Sequence, residues 1–350
     1  MYFKIKNMKN SNLITAKKDK NDEFYTMLNT IEREVPYYED YFKGKTVLCN
    51  CDDPLWSNFT KYFILRFKSL GIKQLVCTYW DKNEENSYAF VYNGQDLNGD
   101  GVISEDDIDI MIKYKAFRKR LNPDVGFVKQ NEQECNKNGV YGSGDFRSKE
   151  CIEYLKMADI VVTNPPFSLF REYVAQLIEY KKLFLIIGNT NAITFKEIFP
   201  LIKDNKVWIG MSPRSMDFLN PDGSISNVNS CWYTNMEHNK RTYPQQLYKK
   251  YNPETYPKYD NYDAIEVSKV AQIPCDYDGV MGVPITFLEK YCPKQFEIVG
   301  IASRHSYKNY PELMNELNFN PNISSGGGLG ACVLNKIPKY ARIFIKKIGV

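Results

Sequence analysis

The sequence predicts an α/β protein built on a doubly wound, mostly parallel sheet, followed by a smaller α+β region. Three observations carry that reading. Short apolar runs rich in β-branched residues alternate with helix-period segments from residue 46 to residue 209, the pattern of strands covered by helices. The first succession, strand 46–51, helix 58–70 and strand 74–78, places a helix between two strands, and that connection demands parallel pairing with a right-handed crossover. Finally, the run Ala158-Asp159-Ile160-Val161-Val162-Thr163 stops in Asn164-Pro165-Pro166-Phe167, and two prolines cannot continue a sheet ladder. The strand thus delivers Asn164 to its carboxyl end, the edge at which open α/β sheets bind ligands.

Along the chain, residues 1–20 are rich in Lys, Asn and Ser and read as a loosely held arm. Asp22-Glu23-Phe24-Tyr25-Thr26 leads into a helix carrying Leu28, Ile31 and Val35 at helical spacing until Pro36 interrupts it. Strand 46–51 breaks at Asp52-Asp53-Pro54, and helix 58–70 ends at Gly71. Residues 81–143 are polar and irregular apart from a helix expected over 105–121. That stretch is too long for an ordinary connection and reads as an insertion or active-site flap. The alternation resumes with helix Lys149–Met157, the strand ending at Asn164, helix 168–180, strand 183–187, helix 194–202 and strand 207–209. Beyond Gly210 the periodicity fades, with short strands expected at 283–287, 296–301 and 341–345. The expected organisation is an arm over 1–20, a catalytic domain over 21–210 with its insertion, and a substrate-choosing region over 211–350.

Composition narrows the setting. A hydrophobic fraction of 43% and a charged fraction of 25% are those of an ordinary soluble globular chain. The net charge of +4 permits contact with a polyanion without demanding it. Nine cysteines do not form an even disulfide framework, and Cys49, Cys51 and Cys77 lie in strand-like runs, as buried free thiols do. Cys49 and Cys51 have no partners at zinc-finger spacing. A reducing, cytoplasmic location is expected. No apolar core of signal-peptide length opens the chain, and no apolar run of about 18 residues would span a bilayer.

Asn-Pro-Pro-Phe suits the presentation of an exocyclic amine to an electrophile. Such a nitrogen is a poor nucleophile while its lone pair is delocalised into the ring. If the Asn164 side-chain oxygen and the Pro165 carbonyl each accept one N–H, the nitrogen is drawn toward tetrahedral geometry and its lone pair is freed. Pro165 and Pro166 fix the backbone that aims this carbonyl, and Phe167 offers a face on which a planar base can stack. Asn164, Pro165, Pro166 and Phe167 are therefore the catalytic candidates. The bland alternative is a turn that merely follows a strand.

Several runs together resemble a known family. They are Asp22 through Thr26, Cys49-Asn50-Cys51-Asp52-Asp53-Pro54 with Ser57-Asn58-Phe59, Gly144-Asp145-Phe146-Arg147-Ser148, and Ala158 through Tyr173, with further likeness at 186–194 and 281–287. This ensemble is similar to the adenine-specific DNA methyltransferases typified by the EcoRI modification enzyme, over most of residues 20–350. The resemblance implies a class I methyltransferase-like fold, S-adenosylmethionine as methyl donor and the N6 of adenine in duplex DNA as acceptor, the base being flipped out of the helix. It also implies an amino-terminal cofactor motif at Asp22, Phe24, Tyr25 and Thr26, and a turn beside the methionine part at Asn50, Cys51, Asp52, Asp53 and Pro54. Asp145 and Phe146 would be the pair at the cofactor adenine. A Cys-Asp-Asp-Pro turn replaces the Gly-rich turn of the wider methyltransferase class, a departure the EcoRI-type family shares. Asp52 or Asp53 at a strand end would pair with a cationic cofactor, or would cap the following helix, and Trp80 would line the adenine. A monomer acting on duplex DNA is expected. The motif alone also suits an RNA adenine or a protein amide as acceptor, or an inactive fold kept as a DNA-binding module.

Two further features stand apart from this chemistry. Asp96, Asn98 and Asp100 occupy the first, third and fifth positions of a calcium-loop pattern, with Gly101 at the sixth and Asp107 at the twelfth. The loop would hold Ca2+, or would cap the helix that begins at Glu105; the strand-like segment 88–92 stands where an entering helix belongs. Basic runs at 113–120 and 336–347 would meet phosphates or form solvated faces. His238 and His305 have no evident partners in sequence and are assigned no role.

Overall fold

The computed structural model describes residues 25–51, 53–81, 87–127, 139–220, 223–323 and 328–348. The arm and the candidates Asp22, Phe24 and Asp52 lie outside the described residues.

Strand β2 (Thr46–Asn50) has all five residues buried, and the other strands of a large sheet assemble around it. Val47 and Leu48 are essentially inaccessible, and burying side chains of this size stabilises the fold by about 1.5–3 kcal/mol each. Helix α1 (Leu28–Glu34) follows the short strand β1 (Tyr25–Thr26). Helix α2 (Asn58–Leu65) begins where the Ser57 hydroxyl accepts the Phe59 amide at 3.2 Å, an N-cap, and buries Phe59, Tyr62 and Phe63. Next come β3 (Gln74–Tyr79), β4 (Tyr88–Tyr92), helix α3 (Glu105–Lys113), β5 (Arg118–Arg120), helix α4 (Lys149–Met157), β6 (Ile160–Thr163), helix α5 (Phe170–Glu179) and β7 (Leu183–Asn189).

The chain folds as two compact units, the first running to Thr190 and resuming over Ser212–Met236, the second comprising Asn191–Met211 and Glu237–Val350. The expected boundary at 210 therefore needs correction, because the segment after it returns to the first unit. There β9 (Met216–Leu219) pairs with β1 and with β10 (Ile225–Val228), and β11 (Ser230–Thr234) pairs antiparallel with β7. Cys231, Trp232 and Tyr233 are completely buried, and the Trp232 ring meets Phe59 edge-on at 6.1 Å. Strand β8 (Trp208–Ile209) belongs to the second unit.

The strands that the first unit gives to the large sheet lie in the order β5-β4-β3-β2-β6-β7-β11. Pairs β3/β2, β2/β6 and β6/β7 are parallel, whereas β4, β5 and β11 run antiparallel to their neighbours. The sheet is thus mixed, parallel only at its centre. The expected long helix 105–121 stops at Lys113 because Lys115 and Phe117 adopt left-handed backbone angles of 50° and 61°, which helices do not continue through. The remainder becomes edge strand β5, whose Arg118-Lys119-Arg120 charges discourage further strand pairing.

In the second unit, β12 (Ile265–Glu266), β13 (Met281–Pro284), β17 (Arg342–Lys347) and β14 (Phe296–Ala302) form a four-stranded sheet in that order. A hairpin of β15 (Val333–Leu334) and β16 (Ile337–Pro338) stands apart from it. Tyr259, Tyr262, Leu313, Leu317 and Phe344 supply much of this unit's core. Short helices over Ser306–Asn309 and Pro311–Glu316 accompany these strands.

Candidate active site

Strand β2 is followed in sequence by β3 on one side, while β6 is added later on its other side. Strand order reverses between β2 and β6, and in open α/β sheets ligands bind outside the carboxyl ends of the strands at such a point. Asn50 ends β2 at that edge, with Cys51, Asp53 and Pro54 beyond it, and Asn164 leaves β6 beside it.

The two strand ends are tied together by side chains. The β2–β6 ladder pairs Val47 with Ile160 and Leu48 with Val161. Beyond it, the Thr163 hydroxyl donates to the Asn50 carbonyl, and the Tyr173 hydroxyl on α5 donates to the Asn50 side-chain oxygen. Tyr173 is wholly buried, and burial raises its pKa well above the ordinary tyrosine value, so the phenol keeps its proton and remains a donor. The Tyr173 ring meets Phe146 nearly edge-on, centroids 5.0 Å apart. One side chain on α5 therefore touches both the last residue of β2 and Phe146. Helix α5 approaches β7 closely because Gly188 has no side chain: a carbon there would lie 2.4 Å from the Phe170 ring.

Asn164 is buried, with 8% of its surface exposed, as is Pro165; Pro166 and Phe167 are half-buried. The Leu169 amide donates to the Pro166 carbonyl at 3.0 Å, turning the chain into a short 3-10 segment that holds Phe167. An amide, two prolines and an aromatic face thus sit at the carboxyl end of β6, where the sequence placed them.

The remaining candidates divide. Thr26 accepts a hydrogen bond at its carbonyl from the Asn58 side chain at 2.8 Å, which brings the Tyr25–Thr26 segment to the start of α2. Cys51 takes a left-handed backbone angle of 78° as the chain leaves β2, and its thiol lies 3.7 Å from the Asn50 side-chain oxygen. Asp53 Oδ1 accepts from the Leu55 amide at 2.9 Å and from the Tyr88 hydroxyl at 2.6 Å; Pro54 is buried next to it. Both contacts use one carboxylate oxygen, and Oδ2 of this half-buried group has no hydrogen bond among the described residues. Trp80, half-buried, follows β3. Gly144 lies so close to that strand end that a side-chain carbon would stand 2.2 Å from the Tyr79 carbonyl oxygen, which sets Asp145 and Phe146 beside Trp80.

Asp145 does something the sequence did not show. Its two oxygens are occupied by Arg147, with Nε and one terminal nitrogen at 3.0 and 2.8 Å and the Arg147 amide at 2.9 Å. Arg147 also reaches Glu172 on α5 at 2.8 Å, and its guanidinium lies 4.7 Å from the Tyr141 ring centroid. Asp145 is thus a clamp that shapes the loop. Thr163, Tyr173, Tyr88 and Arg147 are the residues that sequence reasoning missed; three lie inside or beside the quoted motif runs, but no spacing rule marks a side chain that reaches across strands.

The calcium expectation finds no support. Among the described residues no group of three or more His, Cys, Asp or Glu side chains is arranged to hold a metal ion. Asp107, fully buried, accepts the Leu97 and Asn98 amides at 2.7 and 3.2 Å and the Ser104 amide at 2.9 Å. With the Ser104 hydroxyl this forms a capping box at the start of α3. Asp96 receives the Gly99 and Gly101 amides, and Asn98 and Asp100 bond to one another. The loop's acceptors serve its own backbone.

The residues present fit a cationic nucleoside cofactor. A carboxylate oxygen with no hydrogen bond among the described residues, a thiol and two aromatic side chains, Trp80 and Phe146, gather around the ends of β2 and β3. That donor set matches a sulfonium and ammonium group at one end of a ligand and a flat base at the other.

Comparison with known proteins gives the same direction. The family described as "Adenine-specific methyltransferase EcoRI" matches residues 12–348. The chain is 43% identical over 314 residues to the Type II methyltransferase M.EcoRI of Escherichia coli, covering 84% of this chain and 90% of that protein. It is 35% identical over 353 residues to the Type II methyltransferase M.MpnI of Mycoplasma pneumoniae, covering 95% and 97%. A third relative, M.MgeORF184P of Mycoplasma genitalium, is 33% identical over 355 residues. No solved structure matches. With a match spanning nearly the whole chain, and a strand end that carries Asn-Pro-Pro-Phe at the switch point of its sheet, the protein belongs to the EcoRI family of adenine-specific methyltransferases.

Proposed function

We propose that the protein methylates the N6 amine of adenine in duplex DNA, on a class I methyltransferase fold, with S-adenosylmethionine as donor. The observation that carries this reading is the Asn164–Phe167 segment, held at the carboxyl end of β6 beside the switch point and fastened to the end of β2 through Thr163. The cofactor, when bound, supplies an electrophilic methyl group on a sulfonium. Asp53 Oδ2 would hold its amino group, and Trp80 and Phe146 its adenine. The protein's own residues act on the nucleophile. Asn164 Oδ1 and the Pro165 carbonyl each accept one N6 hydrogen, which localises the nitrogen lone pair and directs it away from the ring. The target base stacks on Phe167 after leaving the duplex, and its stacking and hydrogen bonds there offset the few kcal/mol of unpairing. The second unit reads the sequence around the base.

The test offers radiolabelled methyl donor to the enzyme with duplex DNA, RNA and protein, followed by nucleoside and amino-acid analysis. Label in N6-methyladenine of DNA is expected. Label in RNA or a protein amide, or none in any of them, overturns the reading.

A further inference from the structure

We propose that the β15–β16 hairpin of the second unit is a DNA-contacting finger, with Lys336 and Lys339 on phosphates and Ile337 against a base edge. This rests on duplex DNA being the substrate. The hairpin is closed by two residues, Asn335 and Lys336, with left-handed backbone angles of 51° and 63°. That is the turn whose twist suits two-residue hairpins, but its second position favours glycine. A lysine there carries local strain, so the turn is not optimised for folding alone.

The finger is held rigidly from beneath. The Asp260 carboxylate accepts the Asn335 and Lys336 amides at 3.3 and 2.7 Å, and the Asp260 amide donates to the Val333 carbonyl at 2.8 Å. Buried Asn261 bonds the Val333 amide and the Ala331 carbonyl, each at 2.9 Å. Everything above that base points outward. Residues 335–338 are exposed, Ile337 to 62%. The tip is thus fixed before any partner arrives, and ordering it on binding costs little.

The chemistry of the tip selects that partner. The chain after Glu316 holds Lys336, Lys339, Arg342, Lys346 and Lys347 and no acidic residue. Arg342 is paired with Glu266 at 2.9 Å and Lys347 with Asp278 at 3.5 Å, while Lys336 and Lys339 have no ion pair among the described residues. The Asp260 carboxylate is spent on the turn amides, and lysines with no ion pair among the described residues, beside an exposed apolar group, match the phosphates and base edges of a duplex, whose major groove admits a two-stranded ribbon. Pro338, which lacks an amide hydrogen, and the two lysines block strand addition by a protein partner.

Lys336→Gly separates binding from folding, because glycine relieves the left-handed backbone while deleting the cation. With the full-length protein and a fluorescein-labelled mixed-sequence duplex, anisotropy is followed across a salt series. Lys336→Gly is expected to weaken binding roughly five- to tenfold and to lower the slope of log K against log salt by about 0.9, the value for one phosphate contact. Its melting temperature should be unchanged or higher. Ile337→Ser should bind more weakly to a duplex that the enzyme methylates, with the salt slope unaltered. Wild-type affinity and slope in both variants overturn the finger while leaving DNA as substrate. Failure of the wild-type protein to bind the duplex overturns the DNA reading itself.

Discussion

The Thr163 hydroxyl donates to the Asn50 carbonyl across two strands whose ladder has already ended at Leu48 and Val161. It sets the separation of β2 and β6 where the ligand edge opens. Thr163→Val, which keeps the shape and removes the donor, should cost about 1 kcal/mol of stability. It should also weaken S-adenosylhomocysteine binding in calorimetry, and Thr163→Ser should restore that affinity. Equal cofactor affinity in all three proteins would reduce the bond to a fold contact.

Asn164→Ala removes one of the two acceptors proposed for the N6 hydrogens. Methyl transfer should fall by at least about two orders of magnitude, the scale of losing one preorganised polar partner of a transition state. S-adenosylhomocysteine should still bind. Wild-type turnover by this variant would falsify the two-acceptor mechanism.

Asp53→Asn keeps the size of the side chain and removes its charge. The acceptor for Tyr88 and Leu55 is retained, so the melting temperature should change little. Cofactor affinity should drop roughly tenfold, about 1.4 kcal/mol, if Oδ2 pairs with a cationic amino group. An unchanged dissociation constant would move that role to another residue.

Asp107→Ala deletes the acceptor of a capping box and should lower stability by about 1–2 kcal/mol. Hydrogen bonds from the Ser104 backbone, together with those from Leu97 and Asn98, hold the Asp107 pKa below the usual carboxylate range. Its folded pKa is depressed, so its stabilisation is present above the unfolded pKa and disappears as pH falls through the folded value. Melting curves with calcium and with chelator check the loop's role. The same loss in both is expected from a cap, and a wild-type melting temperature that rises with calcium would assign the loop to the metal.

His238 gives a second pH signature. Burial, with positive charge on Arg241 and Lys240 nearby, lowers its pKa to about 4, against the bond between Nε2 and the Ile209 carbonyl at 2.9 Å. The ring is neutral when folded, and protonation favours the unfolded chain. Stability should therefore fall as pH drops from about 6.5 to about 4, by up to about 3 kcal/mol. His238→Gln, which can still donate to Ile209, should flatten denaturant midpoints across that window; an unaltered profile would assign the acid sensitivity elsewhere.

The strand ending in Asn164 and the turn after Asn50 were legible because burial imposes unbroken apolar runs and proline ends them. The helix over 105–121 was not, since Lys115 and Phe117 turn left-handed without a glycine to announce it. Strand β11 also escaped: Cys231-Trp232-Tyr233 is a short run in polar surroundings, and its place beside β7 is a long-range pairing that local periodicity does not encode. Arg147 and Tyr173 were hidden for the same reason, because their partners lie on other elements.

The return of residues 212–236 to the first unit bears on how such an enzyme can diversify. A recombination event at a single junction near residue 210 would exchange β11 along with residues 237–350, so that β7 would have to pair with a foreign strand. Swapping the second unit while sparing the catalytic sheet requires matched joints after Thr190, Met211 and Met236. If the second unit reads the sequence as proposed, point changes on its exposed tips alter specificity without disturbing these joints.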